Sequence, residues 1–322
     1  MTGLADFLRR QLLPVGLVTV AAIGLLWPEP GRFMGRLPTQ YIAVSTIFIC
    51  SGLLLRTADV RAALTAWPAT LWGCLAILFI TPVIGVLLAY QAPIDPSFQL
   101  GLALFCCMPT TLSSGIALTT QARGNVAQAL LLTVLSNLVG IFTVPFVLAA
   151  LLGTLGHVEL SALDLLGKLC LSILLPLSVG WYLQRFVAEW IARHRARITM
   201  TSNLALISVP WMKFSESSER LGQIAATNLA TLVVVGAAIH LVFLALNDGA
   251  SRLLRFALPA RKAVVILASQ KTLPVAMTVL ALIPNQTLSL EVKGLVAIPC
   301  ITLHLSQIFL DAVLATRWAR RD

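Results

Sequence analysis

The chain has 322 residues, of which 58% are hydrophobic and only 11% are charged, and its formal net charge is +10. A soluble domain needs about 25% charged residues to cover its surface. The composition therefore excludes a water-soluble globular protein and predicts one membrane domain, residues 1–322, whose first partner is the lipid bilayer.

Ten apolar windows follow one another along the chain, and most of them approach the roughly 20 residues that a membrane-spanning helix needs. They cover residues 12–27, 40–55, 69–90, 98–120, 126–152, 163–187, 200–214, 224–246, 261–283 and 292–316. We therefore predict an all-α membrane protein with ten transmembrane helices.

The basic residues give an independent test of this count. With the N-terminus on the cytoplasmic side, sixteen of the 23 lysines and arginines fall in cytoplasmic loops and six on the other side. This bias follows the positive-inside rule and predicts cytoplasmic termini in a bacterial-type inner membrane. Because topology accounts for the positive charge, nucleic acid is not an expected partner.

The windows divide into five and five, so the second half enters the membrane from the opposite side. This predicts two inverted repeats, residues 1–152 and 163–322, which is the architecture of many alternating-access transporters. Pro109 in the fourth window and Pro274 in the ninth occupy the same ordinal position in each half.

The fourth window is interrupted near its middle by Pro109 and a run of hydroxyl residues. Proline has no N–H to donate, so the carbonyl of Phe105 is expected to lose its helical partner. Neighbouring hydroxyls could satisfy that carbonyl or join it around a cation; a plain proline kink patched by hydroxyls is the alternative. The hydroxyl residues are Thr110, Thr111, Ser113 and Ser114.

The ninth window contains the run Ser269-Gln270-Lys271-Thr272 before Pro274. Lys271 lies about ten residues, or roughly 15 Å, from either end of the window, which is too far for its ammonium to reach the headgroups. A charge at that depth must face a polar interior, unless the window is misplaced and Lys271 lies in a loop.

Carboxylates are scarce at this depth. Asp164 and Asp311 lie towards window ends and the other acidic residues fall in loops or tails. We therefore expect the partner of Lys271 to be an anionic substrate, unless the lysine is at times neutral, and we expect any cation site to consist of neutral oxygens. In the fifth window Thr133 and Asn137 are four residues apart on one face, and they either reach the broken fourth helix or only bond helices together.

Residues 108–115 (Met-Pro-Thr-Thr-Leu-Ser-Ser-Gly), residues 122–127 (Ala-Arg-Gly-Asn-Val-Ala) and Pro145 together resemble the bile acid:sodium symporter family, nearest its cotransporter 7-like branch. The resemblance implies that helices four and nine are broken and cross in a core domain beside a moving panel domain. It implies cation ligands at Ser113, Ser114, Thr133 and Gln270. The glutamate of that family's ninth-helix crossover is missing from residues 266–272, so Lys271 could instead stand in for the ion.

These observations predict a secondary transporter of a small organic anion, with Na⁺ as the candidate coupling ion and no other cofactor or metal. The expected substrate contacts are Thr110, Thr111, Asn137, Ser269, Lys271 and Thr272. A regulatory membrane protein that senses a ligand without transporting it is the alternative. An enzyme is not expected, because no nucleophile–base cluster or paired carboxylates occur at matching depth.

Overall fold

The computed structural model describes residues 12–54, 67–111, 114–154 and 161–321, and these residues form helices joined by short loops. In chain order the helices are α1 Leu12–Leu26, α2 Glu29–Arg36, α3 Thr39–Leu54, α4 Trp67–Gln91, α5 Pro96–Cys106, α6 Ser114–Gln121, α7 Val126–Thr154, α8 Ala162–Gln184, α9 Ala188–Glu216, α10 Ser218–Leu221, α11 Ala226–Leu253, α12 Leu258–Ser269, α13 Leu273–Leu282 and α14 Leu290–Arg321.

Each predicted window coincides with one helix or with two helices separated by a break. The fourth window is divided into α5 and α6, and the ninth into α12 and α13. The short seventh window lies inside the 29-residue helix α9, whose first turns are arginine-rich and therefore escaped a hydropathy search. Within the part of the chain that the structure describes, six helical segments are long and apolar enough to cross a bilayer: α4, α7, α8, α11, α12 with α13, and α14. The chain is thus an integral, multi-pass membrane protein, while the count of ten crossings remains a prediction.

The helices pack in two groups. Helix α9 packs against α1 and α3, and α3 packs against α8; we call these four helices the panel group, and α4 to α7 with α11 to α14 the core group. Within the panel group, Gly52 of α3 and Gly180 of α8 face each other so closely that a Cβ on either would meet backbone atoms at 2.2 Å. The panel group is therefore built on direct backbone contact, which only glycine allows.

The loop between α6 and α7 contains the Ala-Arg-Gly-Asn sequence. Arg123 adopts a left-handed conformation with φ 55° and ends α6. The Asn125 side chain accepts the Gln128 N–H at 3.0 Å at the start of α7. The backbone N–H of Asn125 donates to the Pro259 carbonyl at 2.9 Å. The loop thus ties the end of one broken helix to the start of the other, α12.

Candidate functional site

The breaks in the two halves of the chain touch each other. Helix α12 ends at Ser269, and Gln270 and Thr272 are extended before α13 begins at Leu273. The Thr272 N–H donates to the carbonyl of Pro109 at 2.9 Å. We call the meeting point of residues 109–111 with residues 270–272 the crossover; burial of these residues is nearly complete.

The two prolines lie on different sides of their breaks, and Pro109 is not the plain kink given as the alternative. Helix α5 has already ended at Cys106, and the carbonyl of Phe105 accepts the Met108 N–H at 3.1 Å. The carbonyl of Phe105 thus loses its helical partner at Pro109, as expected, but a tightened turn and not a hydroxyl satisfies it. Pro274 is the second residue of α13, where a proline has no helical hydrogen bond to lose.

The hydroxyl residues of the fourth window bind the ninth, and Thr111 Oγ1 also accepts the Gly115 N–H of α6 at 3.1 Å. Thr110 Oγ1 donates to the carbonyl of Leu267, and Thr111 Oγ1 donates to Gln270 Oε1 at 2.6 Å. Ser114 Oγ lies 3.4 Å from the same Gln270 oxygen. Ser113 is outside the described residues. Hydroxyl and amide oxygens from both halves of the chain therefore converge at the crossover.

In each half of the chain, the long helix after the broken pair supports the break with a side-chain amide. In α7, Asn137 Nδ2 donates to the carbonyl of Thr110 at 3.0 Å, and Thr133 Oγ1 lies 3.5 Å from the carbonyl of Thr111. In α14, Gln307 accepts the Lys271 N–H at 2.9 Å and donates to its carbonyl at 2.7 Å. Thr133 and Asn137 therefore reach the break in the fourth window, and Gln307 is their counterpart in the second half.

Lys271 lies within the crossover, with 1% of its surface exposed, so the alternative that it belongs to a loop is excluded. Its ammonium donates to the carbonyl of Ile77 at 2.7 Å. That carbonyl belongs to a π-helical segment of α4, Ala76–Ile80. The Thr81 N–H, which would bond to Ile77 in an α-helix, bonds to the Ala76 carbonyl. The next candidate donor is Pro82, which has no N–H, so Ile77 has no donor in its own helix.

No carboxylate neutralises this ammonium among the described residues. The ion pairs found there leave Lys271 out, and the Ile77 carbonyl is the one acceptor its Nζ has. An ammonium carries three donors. Lys271 therefore retains hydrogen-bonding capacity and an unbalanced positive charge at the crossover.

A carboxylate does reach the crossover from the other side. Asp311 of α14 is fully buried. It accepts hydrogen bonds from the Gln270 amide N–H at 2.6 Å and from His240 Nε2 at 2.8 Å. The expectation that no carboxylate lies at the depth of Lys271 is therefore wrong for Asp311. Helix α14 runs on to Arg321, which places Asp311 well inside the helix.

The remaining predicted contacts are distributed around this centre. Ser269 is buried and its hydroxyl accepts the Asn247 amide at 3.2 Å, which directs it towards α11. Thr272 contributes its backbone N–H to the crossover. His240, Gln307 and Asp311 were missed from sequence, although polar residues at 304, 307 and 311 mark one face of α14 by their spacing.

Cavities follow the boundary between the panel and core groups. A narrow one beside the crossover is lined by Pro109 and Asn137 on one side and by Phe48 and Ile173 on the other. A wider one of about 400 Å³, open to the surface, is lined by residues that include Lys168, Asn285 and Lys293. Both cavities border α8, so a route from the surface to the crossover would run along this helix.

The helix ends at the crossover present both signs of partial charge. Helices α5 and α12 point their carboxyl ends at it, and α6 and α13 point their amino ends at it. Free carbonyls at a helix C-terminus attract cations, whereas the N–H groups at an N-terminus attract anions. The arrangement can therefore hold a cation and an anion at adjacent positions.

Several known proteins are similar in sequence to this chain. The profile of the SBF-like CPA transporter family matches residues 11–320. A rice protein (Oryza sativa subsp. indica) named "Probable sodium/metabolite cotransporter BASS4, chloroplastic" is 35% identical, and the match covers 99% of this chain and 78% of the relative. The protein of that name from Arabidopsis thaliana is 34% identical, with 99% and 74% covered. "Sodium/bile acid cotransporter 7" of Xenopus tropicalis is 28% identical, with 67% and 64% covered.

Proposed function

The chain belongs to the SBF-like CPA transporter family, and on that premise we propose that it is a sodium-coupled secondary transporter of a small organic anion. The observation that carries the proposal is the contact between the two helix breaks, where Thr111 meets Gln270 and Thr272 meets Pro109. In transporters with inverted repeats, substrate and coupling ion bind at such paired breaks. The chain is a transporter and not an enzyme.

Sodium is the coupling ion that the surroundings favour. The proposed ligands are oxygens of Ser113, Ser114, Thr133 and Gln270, joined by Thr111, whose hydroxyl lies 2.6 Å from the glutamine oxygen. Relatives named as sodium/metabolite and sodium/bile acid cotransporters support the same ion. Hard oxygen donors of this kind suit a small alkali cation and leave no softer ligand for a transition metal.

The substrate is proposed to be an anion because of Lys271. Its ammonium is buried, carries donors beyond the one that Ile77 accepts, and has no protein carboxylate beside it among the described residues. The amino ends of α6 and α13 add N–H groups that favour an anionic headgroup. The other proposed contacts are Thr110, Thr111, Asn137, Ser269 and Thr272.

Alternating access would follow from movement of the panel group against the core group. The cavities along their boundary support a path that opens from the Lys293 side in one state and closes at Phe48 and Ile173 in another. If the inverted repeats, residues 1–152 and 163–322, exchange conformations, the second state resembles the first with its opening on the other side of the membrane. In this proposal both termini are cytoplasmic.

Thermal stability of the purified protein in detergent tests the ion site. We expect sodium, compared with potassium or choline at equal ionic strength, to raise the midpoint of unfolding, because a ligand at a hundred times its Kd adds about 2.7 kcal/mol. Thr111→Val should remove this sodium effect, since the hydroxyl nearest the glutamine oxygen is lost. Thr231→Val is the matched control, because Thr231 bonds only to its own helix at the protein periphery.

A panel of organic anions is then added in each salt. If sodium has no effect while an anion stabilises the protein through Lys271, the lysine stands in for the ion and the sodium proposal is wrong. If Thr111→Val and Thr231→Val respond alike to sodium, any sodium effect arises elsewhere.

A further inference from the structure

A buried carboxylate lies directly behind the crossover. Asp311 is 0% exposed and its two oxygens accept hydrogen bonds from His240 of α11 and Gln270 of the α12–α13 break. Both donors are neutral groups unless the imidazole is protonated. Among the described residues no lysine or arginine forms an ion pair with Asp311. A buried carboxylate held by hydrogen bonds alone is costly, so it favours the binding of a cation at the crossover in front of it.

The carboxylate also fixes the orientation of the Gln270 amide. An ionised carboxylate only accepts hydrogen bonds, so it must face the amide nitrogen of Gln270, at 2.6 Å. The reverse orientation would place two acceptor oxygens against each other. The amide oxygen of Gln270 is therefore turned the other way, to Thr111 at 2.6 Å and Ser114 at 3.4 Å.

These contacts form one continuous chain of hydrogen bonds through four helices or breaks. It runs from His240 through Asp311 and Gln270 to Thr111. A hydrogen bond to a carboxylate polarises the donor amide and increases the negative partial charge on its oxygen. The oxygen that the crossover receives is thus more attractive to a cation than that of an isolated glutamine.

We propose that Asp311 is the positioning residue of the crossover cation site: it orients the Gln270 oxygen towards the ion and provides the negative charge that balances it, while His240 holds its second oxygen. The inference rests on the proposed sodium site and adds to it a residue that lies outside the ion's direct ligands. Residues that orient metal ligands in this way typically change affinity by about 10–100-fold when they are replaced.

The test is a sodium titration of thermal stability at constant ionic strength and constant pH, with potassium as the replaced ion. We expect Asp311→Asn to raise the half-saturating sodium concentration by about 10–100-fold. The amide introduced at position 311 can face Gln270 with either its nitrogen or its oxygen, so the glutamine is no longer held in one orientation, and the balancing charge is gone. Asp248→Asn is the matched control, because Asp248 is bound by Arg252 and Arg261 near the surface.

A double variant separates this role from a structural one. In Gln270→Glu combined with Asp311→Asn, the carboxylate moves one side chain closer to Thr111, and the new amide at 311 can donate to it. The net charge is that of the wild type, and we expect the sodium response, selective over potassium, to return. Loss of packing at position 311 alone would not be repaired by this change.

The outcomes are distinct. If Asp311→Asn folds and keeps the wild-type half-saturating concentration, the inference is overturned while the sodium site stands. If Asp311→Asn does not fold, the double variant decides: a sodium response supports the inference, and its absence in a folded double variant overturns it. If the wild type itself shows no sodium response, both the proposed coupling ion and the inference are overturned.

Discussion

Lys271→Met is expected to abolish binding of the transported anion while leaving the protein folded. The substitution removes the one buried ammonium at the crossover and with it the charge that would attract the substrate. The Ile77 carbonyl loses its partner, which costs about 1–3 kcal/mol. Removal of a desolvated charge offsets much of that cost.

The measurement is thermal stabilisation by the anion that stabilises the wild type, at a concentration that saturates the wild-type response. We expect no shift in Lys271→Met. Arg317→Met is the control, since it removes the same charge from an exposed position near the end of α14. An undiminished shift in Lys271→Met, with normal sodium stabilisation, would show that the anion binds elsewhere.

Gln307→Leu is expected to destabilise the protein by about 2–6 kcal/mol, because two buried backbone groups lose their partner at about 1–3 kcal/mol each. The Gln307 side chain accepts the Lys271 N–H and donates to the Lys271 carbonyl, and a break in a membrane helix has no water to replace it. The midpoint of thermal unfolding in detergent measures the loss.

A graded series makes this prediction specific. Gln307→Asn keeps the amide donor and acceptor on a side chain one methylene shorter, so it should fall between the wild type and Gln307→Leu. Ser306→Ala is the neighbouring control, because Ser306 only bonds back within its own helix. Equal midpoints for Gln307→Leu and Ser306→Ala would mean that the crossover does not depend on this amide.

Much of the helical architecture follows from hydropathy and from the prolines and glycines that interrupt helices. Apolar windows located every helix except the short α2 and α10, and a proline among hydroxyl residues located the break in the fourth window. The position of each break was harder to predict, because α5 ends before Pro109 whereas Pro274 begins α13. A proline shows that a helix changes nearby, but it does not show on which side.

The site was predicted less completely than the helices, since sequence gives a residue's position along one helix and not its neighbours across the bundle. Asp311 was placed near a window end because the apolar run stops at 316, yet α14 continues through polar residues to Arg321. The partner of Lys271 depends on a π-helical segment before Pro82 in another helix. Spacing alone does not reveal such a contact.

The most direct test of the account is uptake of the stabilising anion into proteoliposomes under an inward sodium gradient, compared with an equal potassium gradient. Sodium-coupled transport predicts accumulation of the anion above its external concentration with sodium only, and loss of that accumulation when the sodium gradient is collapsed. Binding of the anion without sodium-driven accumulation or exchange of labelled for unlabelled anion would contradict it. That result would indicate a membrane protein that senses its ligand and does not transport it.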